Sequence, residues 1–197
     1  LATASVSETV TITAAGTVRG KFSVRVKVTK AGTTDGGAAR VKVATNGYTY
    51  GPEIQVKPRT AAELVGTVDM TALTLSALNA KHFTCTTEDT IAADVTMSSP
   101  PASVAALITE LNAGIVIDGS NAVVSTTLRA GKYLVVRSAT LGSTSTITAA
   151  AGDGMDELGL NGQSATGTNS TYEIPGTGLT ITFPTGTWVL DEVYSIE

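Results

Sequence analysis

Lys21-Phe22-Ser23-Val24-Arg25-Val26-Lys27-Val28 is followed, after Thr29-Lys30-Ala31-Gly32-Thr33-Thr34-Asp35-Gly36-Gly37-Ala38-Ala39, by Arg40-Val41-Lys42-Val43. Both flanks alternate. Phe22, Val24, Val26 and Val28 fall on one side of an extended chain, and Lys21, Ser23, Arg25 and Lys27 on the other. A period of two with one apolar face predicts a half-buried strand. Asp35-Gly36-Gly37 supplies the residues that a tight turn with positive φ requires. The stretch therefore reads as a β-hairpin with an apolar inner face and a basic outer one.

The same texture extends outward on both sides. Residues 5–13 alternate around Val6, Val10 and Ile12, and Asn46-Gly47 is a second turn signal. Tyr48-Thr49-Tyr50 and Ile54-Gln55-Val56 are short strand candidates. Far along the chain, Leu179, Ile181 and Phe183 alternate with Thr180 and Thr182, Pro184-Thr185-Gly186 turns, and a last strand region covers Trp188 to Ile196.

Between these two β-rich ends the texture changes at Pro58. Short strands are expected near 64–69, 82–86 and 91–97. Ser99-Pro100-Pro101 opens a helix, because Pro suits the first helical positions. Val104, Leu107, Ile108 and Leu111 lie at i, i+3, i+4 and i+7, a narrow apolar stripe, and Gly114 ends it. Strands at 114–117, 121–128 and 132–137 follow. Asp153 is expected to cap a short helix that ends near Gly159, and residues 161–170 read as a polar linker.

Composition agrees with a β-rich chain. Of 197 residues, 42% are hydrophobic but only 5% aromatic and 15% charged. Thr and Val favour pleated, half-buried surfaces. Low charge suits a protein packed among neighbours better than a solitary one. No run approaches the length of a membrane span, and the N-terminus reads as no signal peptide. The single cysteine, Cys85, excludes an internal disulfide.

Little in the sequence points to catalysis. His82 and Cys85 lie three apart, and a metal would need more ligands than this pair offers. A triad around His82 lacks the usual nucleophile elbow. Asp153, Asp156 and Glu157 do not follow the calcium-loop spacing. No phosphate-binding glycine motif is present. The expectation is no enzyme, no cofactor, no metal and no catalytic residue.

Charge is the one electrostatic signal. The net charge is −4, yet residues 19–59 carry nine Lys/Arg against Asp35 and Glu53, and residues 151–197 carry seven acids and no base. Nucleic acid would call for a net basic domain with interleaved aromatics, so it is not favoured as a partner. Two readings of the stripe stay open: a solvated outer face, or a complementary contact with the acidic segment, within one subunit or between neighbours. The candidate assembly residues are Arg19, Lys21, Arg25, Lys27, Arg40, Lys42, Asp191 and Glu192.

Two resemblances follow from these motifs. Ser103-Val104 through Ala113, then Lys132 through Ile147, then Leu158-Gly159-Leu160-Asn161-Gly162, resemble a small α+β module of phage tail and tail-sheath proteins. Similar segments occur in flagellin and hook-associated proteins. The hairpin around Asp35-Gly36-Gly37, with residues 172–196, resembles a β-domain of tail-sheath-like proteins, in which Gly-Asp precedes the final Val-Tyr-Ser. Here Asp191-Glu192 stands in that place.

The expected fold is mainly β. It has a discontinuous antiparallel β-sandwich-like domain (1–57 and 168–197) that carries an inserted α+β module (58–167). The resemblance implies a non-catalytic structural protein of a bacteriophage virion, in the tail as sheath or tail-associated protein. It implies a homo-oligomer whose partners are its own copies and other virion proteins, assembled in the host bacterial cytoplasm. The alternatives are a receptor- or carbohydrate-binding β-domain of a virion, and a bacterial flagellar or surface structural domain. An adhesin would be expected to expose a cluster of aromatics.

Overall fold

The computed structural model describes residues 11–14, 23–45, 49–88, 92–114, 116–117, 121–122, 124–149 and 152–196. It is mainly β, with several antiparallel sheets and few helices. Residues 5–10, Arg19, Lys21, Phe22 and the Asn46-Gly47-Tyr48 turn lie outside the described residues. The chain divides into two compact units, 1–59 with 169–197, and 60–168.

In the first unit the alternation quoted above becomes burial. Val24, Val26 and Val28 are fully buried on the strand Val24–Lys30, while Arg25 and Lys27 are half-buried on its other face. This strand pairs antiparallel with Arg40–Thr45, which pairs with Glu53–Gln55, and on its other side with Val193–Ile196. A second, three-stranded sheet holds Leu179–Phe183 between Thr11–Ala14 and Ser170–Ile174.

The two sheets contribute to one core, with Val24, Val26, Val28, Val41 and Val43 from the first and Ile174, Leu179, Ile181 and Phe183 from the second. Each fully buried aliphatic or aromatic side chain contributes ~1.5–3 kcal/mol. That makes this apolar set the main source of the unit's stability. The Asp35-Gly36-Gly37 turn has Gly37 at φ +62, the left-handed region that the sequence signal called for. Arg59 clamps Asp35 through Nε at 3.0 Å and Nη2 at 2.7 Å, and holds its carboxyl below the usual range by hydrogen bonding.

In the second unit, sheets ordered Val124–Arg129, Tyr133–Ser138, Glu63–Asp69 and Ser164–Thr166, Thr146–Ala149, His82–Thr87, Ala92–Thr96 enclose an apolar core. The helix Val104–Gly114 presents Leu107 and Leu111, both buried, with Val104 and Ile108 partly so. Its start is capped by Ser103, whose Oγ accepts the Ala106 N–H at 3.1 Å. Near its end Asn112 reaches Thr126. The Asn112 Oδ1 accepts the Thr126 N–H at 2.8 Å, and Nδ2 donates to the Thr126 carbonyl at 3.2 Å.

The short helix Asp153–Glu157 begins after Gly152, and Asp153 is its first residue rather than its cap. Gly154 there is held by sterics: a Cβ would lie 2.0 Å from the His82 carbonyl oxygen. Residues 161–170 are not a linker. Ser164–Thr166 pairs with the strand Thr146–Ala149, and Ser170 opens the next strand. Where the chain enters and leaves this unit, Thr60 and Thr168 join: the Thr60 N–H donates to the Thr168 carbonyl at 2.9 Å, and their hydroxyls meet at 2.9 Å.

Candidate functional site

The residues with conventional catalytic chemistry are placed as framework. His82 and Cys85 share the strand His82–Thr87 but point to opposite faces, as residues of opposite parity must. The His82 Nδ1 lies 3.0 Å from the Thr96 hydroxyl. Cys85 is buried in the apolar core, and loss of solvation pushes its thiol up to about 11, the reverse of what a nucleophile needs. Asp153 pairs with Lys81 at 3.5 Å. Among the described residues, no group of three His, Cys, Asp or Glu is placed to hold a metal, and no helix is long and apolar enough to cross a membrane.

The basic stripe is where charge collects. Lys27 faces Lys42 across one strand pair and Val193 across the other. Its Nζ reaches Asp191 at 3.0 Å. Arg40 lies 3.6 Å from Glu53. Arg25 stands between Ala44 and Ser195 on the same outer face. The basic hairpin and the acidic C-terminal segment therefore meet inside the first unit, at Lys27–Asp191. Both partners reach solvent, Lys27 in part and Asp191 largely, so this pair contributes only ~0–1 kcal/mol. Arg19 and Lys21 lie outside the described residues.

Next to this pair the chain does something the sequence reading missed. Trp188 to Ile196 is not one strand. Thr187–Trp188 pairs with Gly32–Thr33, then a turn closes from the Glu192 N–H to the Val189 carbonyl at 3.2 Å, and Val193–Ile196 resumes pairing. The Asp191 N–H donates to the Val28 carbonyl at 3.0 Å, while the Val28 N–H donates to the Glu192 carbonyl at 2.9 Å. Two residues thus oppose one, with Asp191 at φ +66. This is a β-bulge of the kind whose first position is normally Gly.

The turn lifts Val189, Leu190 and Val193 into solvent, at 51%, 54% and 48% exposure. Behind them Trp188 is buried at 3%, its indole N–H donating to the Thr34 hydroxyl at 2.9 Å. The Trp188 ring meets Phe183 and Tyr194 edge-on at 5.6 and 5.3 Å. Burial, and then the hydrogen bond to Glu192 at 2.6 Å, raise the Tyr194 phenol above its ordinary range. The one tryptophan is a core residue and is not placed to stack on a sugar.

The geometry defines an antiparallel β unit with a charged sheet face, an apolar tip beside one sheet edge, and a second, α+β unit inserted in its chain. No protein-family model matches the chain and no curated protein does. Among solved structures it is similar to the flagellar cap protein FliD from Bdellovibrio bacteriovorus, with 10% identity over 82% of this chain and 85% of that one, at a TM-score of 0.40. It is similar also to the D2-D3 domains of the flagellar cap protein from Serratia marcescens (16% identity, 96% and 100% coverage, TM-score 0.40). The corresponding Escherichia coli domains match at 15% identity, with 95% and 94% coverage and a TM-score of 0.38.

None of these is a tail or sheath protein, and they overturn the resemblance to bacteriophage tail-sheath proteins together with the virion setting it implied. The physical reason is plain in the structure. The motifs that carried the resemblance are turn glycines and small residues, such as Gly37 and Gly159, both at positive φ. Antiparallel hairpins and helix ends demand these residues in any particle.

Proposed function

We propose that this chain is a non-catalytic structural domain of a bacterial flagellar or surface assembly, acting through contacts between copies of itself. The observation that carries the reading is the outer face of the sheet Val193–Ile196, Val24–Lys30, Arg40–Thr45, Glu53–Gln55. It gathers Arg25, Lys27, Arg40 and Lys42 on one surface, with Asp191 at its margin. The flagellar part of the reading rests on the likeness of the inserted unit's helix and following strand, rather than its turn glycines, to segments of flagellin and hook-associated proteins. A basic face on one copy and an acidic margin on the next fix register and orientation more than they add affinity.

Exposed pairs are screened over ~10 Å at 0.1 M salt and ~3 Å at 1 M. Assembly of the purified chain, followed by light scattering, is therefore expected to weaken steadily over that range. The double variant Arg25→Glu/Lys42→Glu spares the Lys27–Asp191 pair and is expected to reduce assembly at 0.1 M salt to the level that the wild type keeps at 1 M, while still giving the circular dichroism of a folded chain. Lys57→Glu, exposed and off the stripe, is the control. Assembly of the double variant at wild-type concentration and with the same salt response would return the stripe to a merely solvated face.

A further inference from the structure

The strand Val193–Ile196 is the outermost member of its sheet among the described residues. Its pairing with Val24–Lys30 decides where its backbone groups point. Val28 is hydrogen-bonded to Asp191 and Glu192. In an antiparallel ladder the residues bonded to one neighbour alternate with those facing away. With Tyr194 opposite Val26 and Val193 opposite Lys27, Tyr194 bonds inward. The N–H and C=O of Val193 and Ser195 are turned toward the open edge.

Sheet edges are normally blunted by charge, proline, cover, brevity or a bulge; this strand is short and follows the Asp191–Glu192 bulge, but beyond it Val193–Ile196 pairs in regular register. The opposite edge of this same sheet is blunted: Pro52, Glu53 and Pro58 frame the strand Glu53–Gln55. Val193-Tyr194-Ser195-Ile196 carries neither charge nor proline. It is also the edge beside which Val189, Leu190 and Val193 are exposed, the large apolar side chains that the described residues leave in solvent.

From this we infer that the Val193–Ile196 edge pairs with the same edge of a second copy, antiparallel about a two-fold axis at Tyr194, and joins the two sheets into one. The inference rests on the self-association proposed above and names a surface for it. Val193 of one copy stands opposite Ser195 of the other, and each pair exchanges its outward N–H and C=O groups. Such a contact is isologous, so it needs no complementary patch elsewhere on the chain. The edge has no charge to repel its copy. In this register Lys27 of one copy lies level with Arg25 of the other, three strand spacings apart, ~14 Å, which exceeds the Debye length of ~8 Å at physiological salt. Four residues a side make a smaller contact than the ~800 Å² per partner of stable interfaces, so the dimer is expected to be weak and to gain from repetition in an array.

Sedimentation equilibrium of the full chain from micromolar to millimolar concentration tests this, at 0.1 M and at 1 M salt. A concentration-dependent dimer that persists at 1 M salt is expected. Val193→Lys places a charge on the edge, and Ser195→Pro deletes an outward N–H that bonds nothing within the strand pair. Each is expected to weaken the dimer at least tenfold while the chain still gives the circular dichroism of the wild type. Should Ser195→Pro not fold, Val193→Lys decides alone. A dimer of unchanged affinity in the folded variants overturns the edge pairing and leaves self-association standing. A wild-type chain that stays monomeric at every concentration and both salts overturns both. A dimer lost at 1 M salt yet indifferent to Val193→Lys assigns association to the charged face instead.

Discussion

Asp191 is the residue at which two small effects can be separated. Its φ of +66 puts it in the left-handed region, where a residue with a Cβ is disfavoured by ~1–2 kcal/mol and Asp by somewhat less. The same residue pairs with Lys27 at 3.0 Å, a contribution of ~0–1 kcal/mol between exposed groups. Asp191→Gly removes both, and the net is expected to be a gain of ~0.5–1 kcal/mol. Because salt screens only the ion pair, the gain over wild type should grow between 0.1 and 1 M salt in parallel urea titrations. Asp191→Ala keeps the backbone strain and loses the pair, so it should lower stability. Equal losses for Gly and Ala would show that the bulge is unstrained. The sequence held a hint of this position. Where the resembling pattern has Gly-Asp, this chain has Asp191-Glu192, and a Gly that precedes a strand is often there for its φ.

The elements read most easily were those with a full local period. The hairpin strands Val24–Lys30 and Arg40–Thr45 alternate along most of their length, and the helix Val104–Gly114 shows its stripe at Val104, Leu107, Ile108 and Leu111. Elements held by backbone pairing alone left no such mark. Ser164–Thr166 has the composition of a linker, because the hydrogen bonds that make it a strand do not depend on its side chains. The break inside residues 188–196 was hidden for a related reason: Val189-Leu190-Asp191-Glu192 contains neither Gly nor Pro. The charges of the candidate site were legible, but the Lys27–Asp191 pair follows from a register between distant segments. Asn112 shows how one side chain can stand in for a whole strand. Among the described residues, strand Val124–Arg129 is the edge of its sheet, and the Asn112 amide takes up both backbone groups of Thr126. Asn112→Ala leaves those groups without that partner and is expected to cost about 1–3 kcal/mol, read from the urea midpoint. Asn112→Asp, which keeps the acceptor and loses the donor, should fall between. A wild-type midpoint for the Ala variant would mean that water serves Thr126 equally well.

At the scale of the whole molecule, the proposal is that each compact unit folds on its own. Each has a separate apolar core, one around Val26 and Ile181, the other around Leu107 and Ile147. Residues 60–168 expressed alone, and residues 1–59 joined to 169–197 through a short Gly/Ser bridge, should both give β-type circular dichroism and a cooperative melt. Replacing a long excursion by a short bridge changes loop-closure entropy by only ~0.6 kcal/mol per doubling of length. A disordered remnant beside a folded 60–168 would show that the outer strands need the inserted unit. Function was the least legible level. Turn glycines and small residues describe how a chain bends, and they are shared by assemblies with nothing else in common.

The Thr60–Thr168 pairing also sets how this chain bears load. Tension applied across residues 11 and 196 acts first on the unit that contains both. Residues 60–168 lie between two points that the threonine pair already holds together, so they form a closed loop outside the path of the force. Only after the outer strands have given way does the pull arrive at Thr60 and Thr168. There it draws on a few hydrogen bonds, the shortest 2.9 Å, that close the base of the loop. Extension of the chain is thereby ordered in advance, outer unit before inner, with the inner unit's length held in reserve.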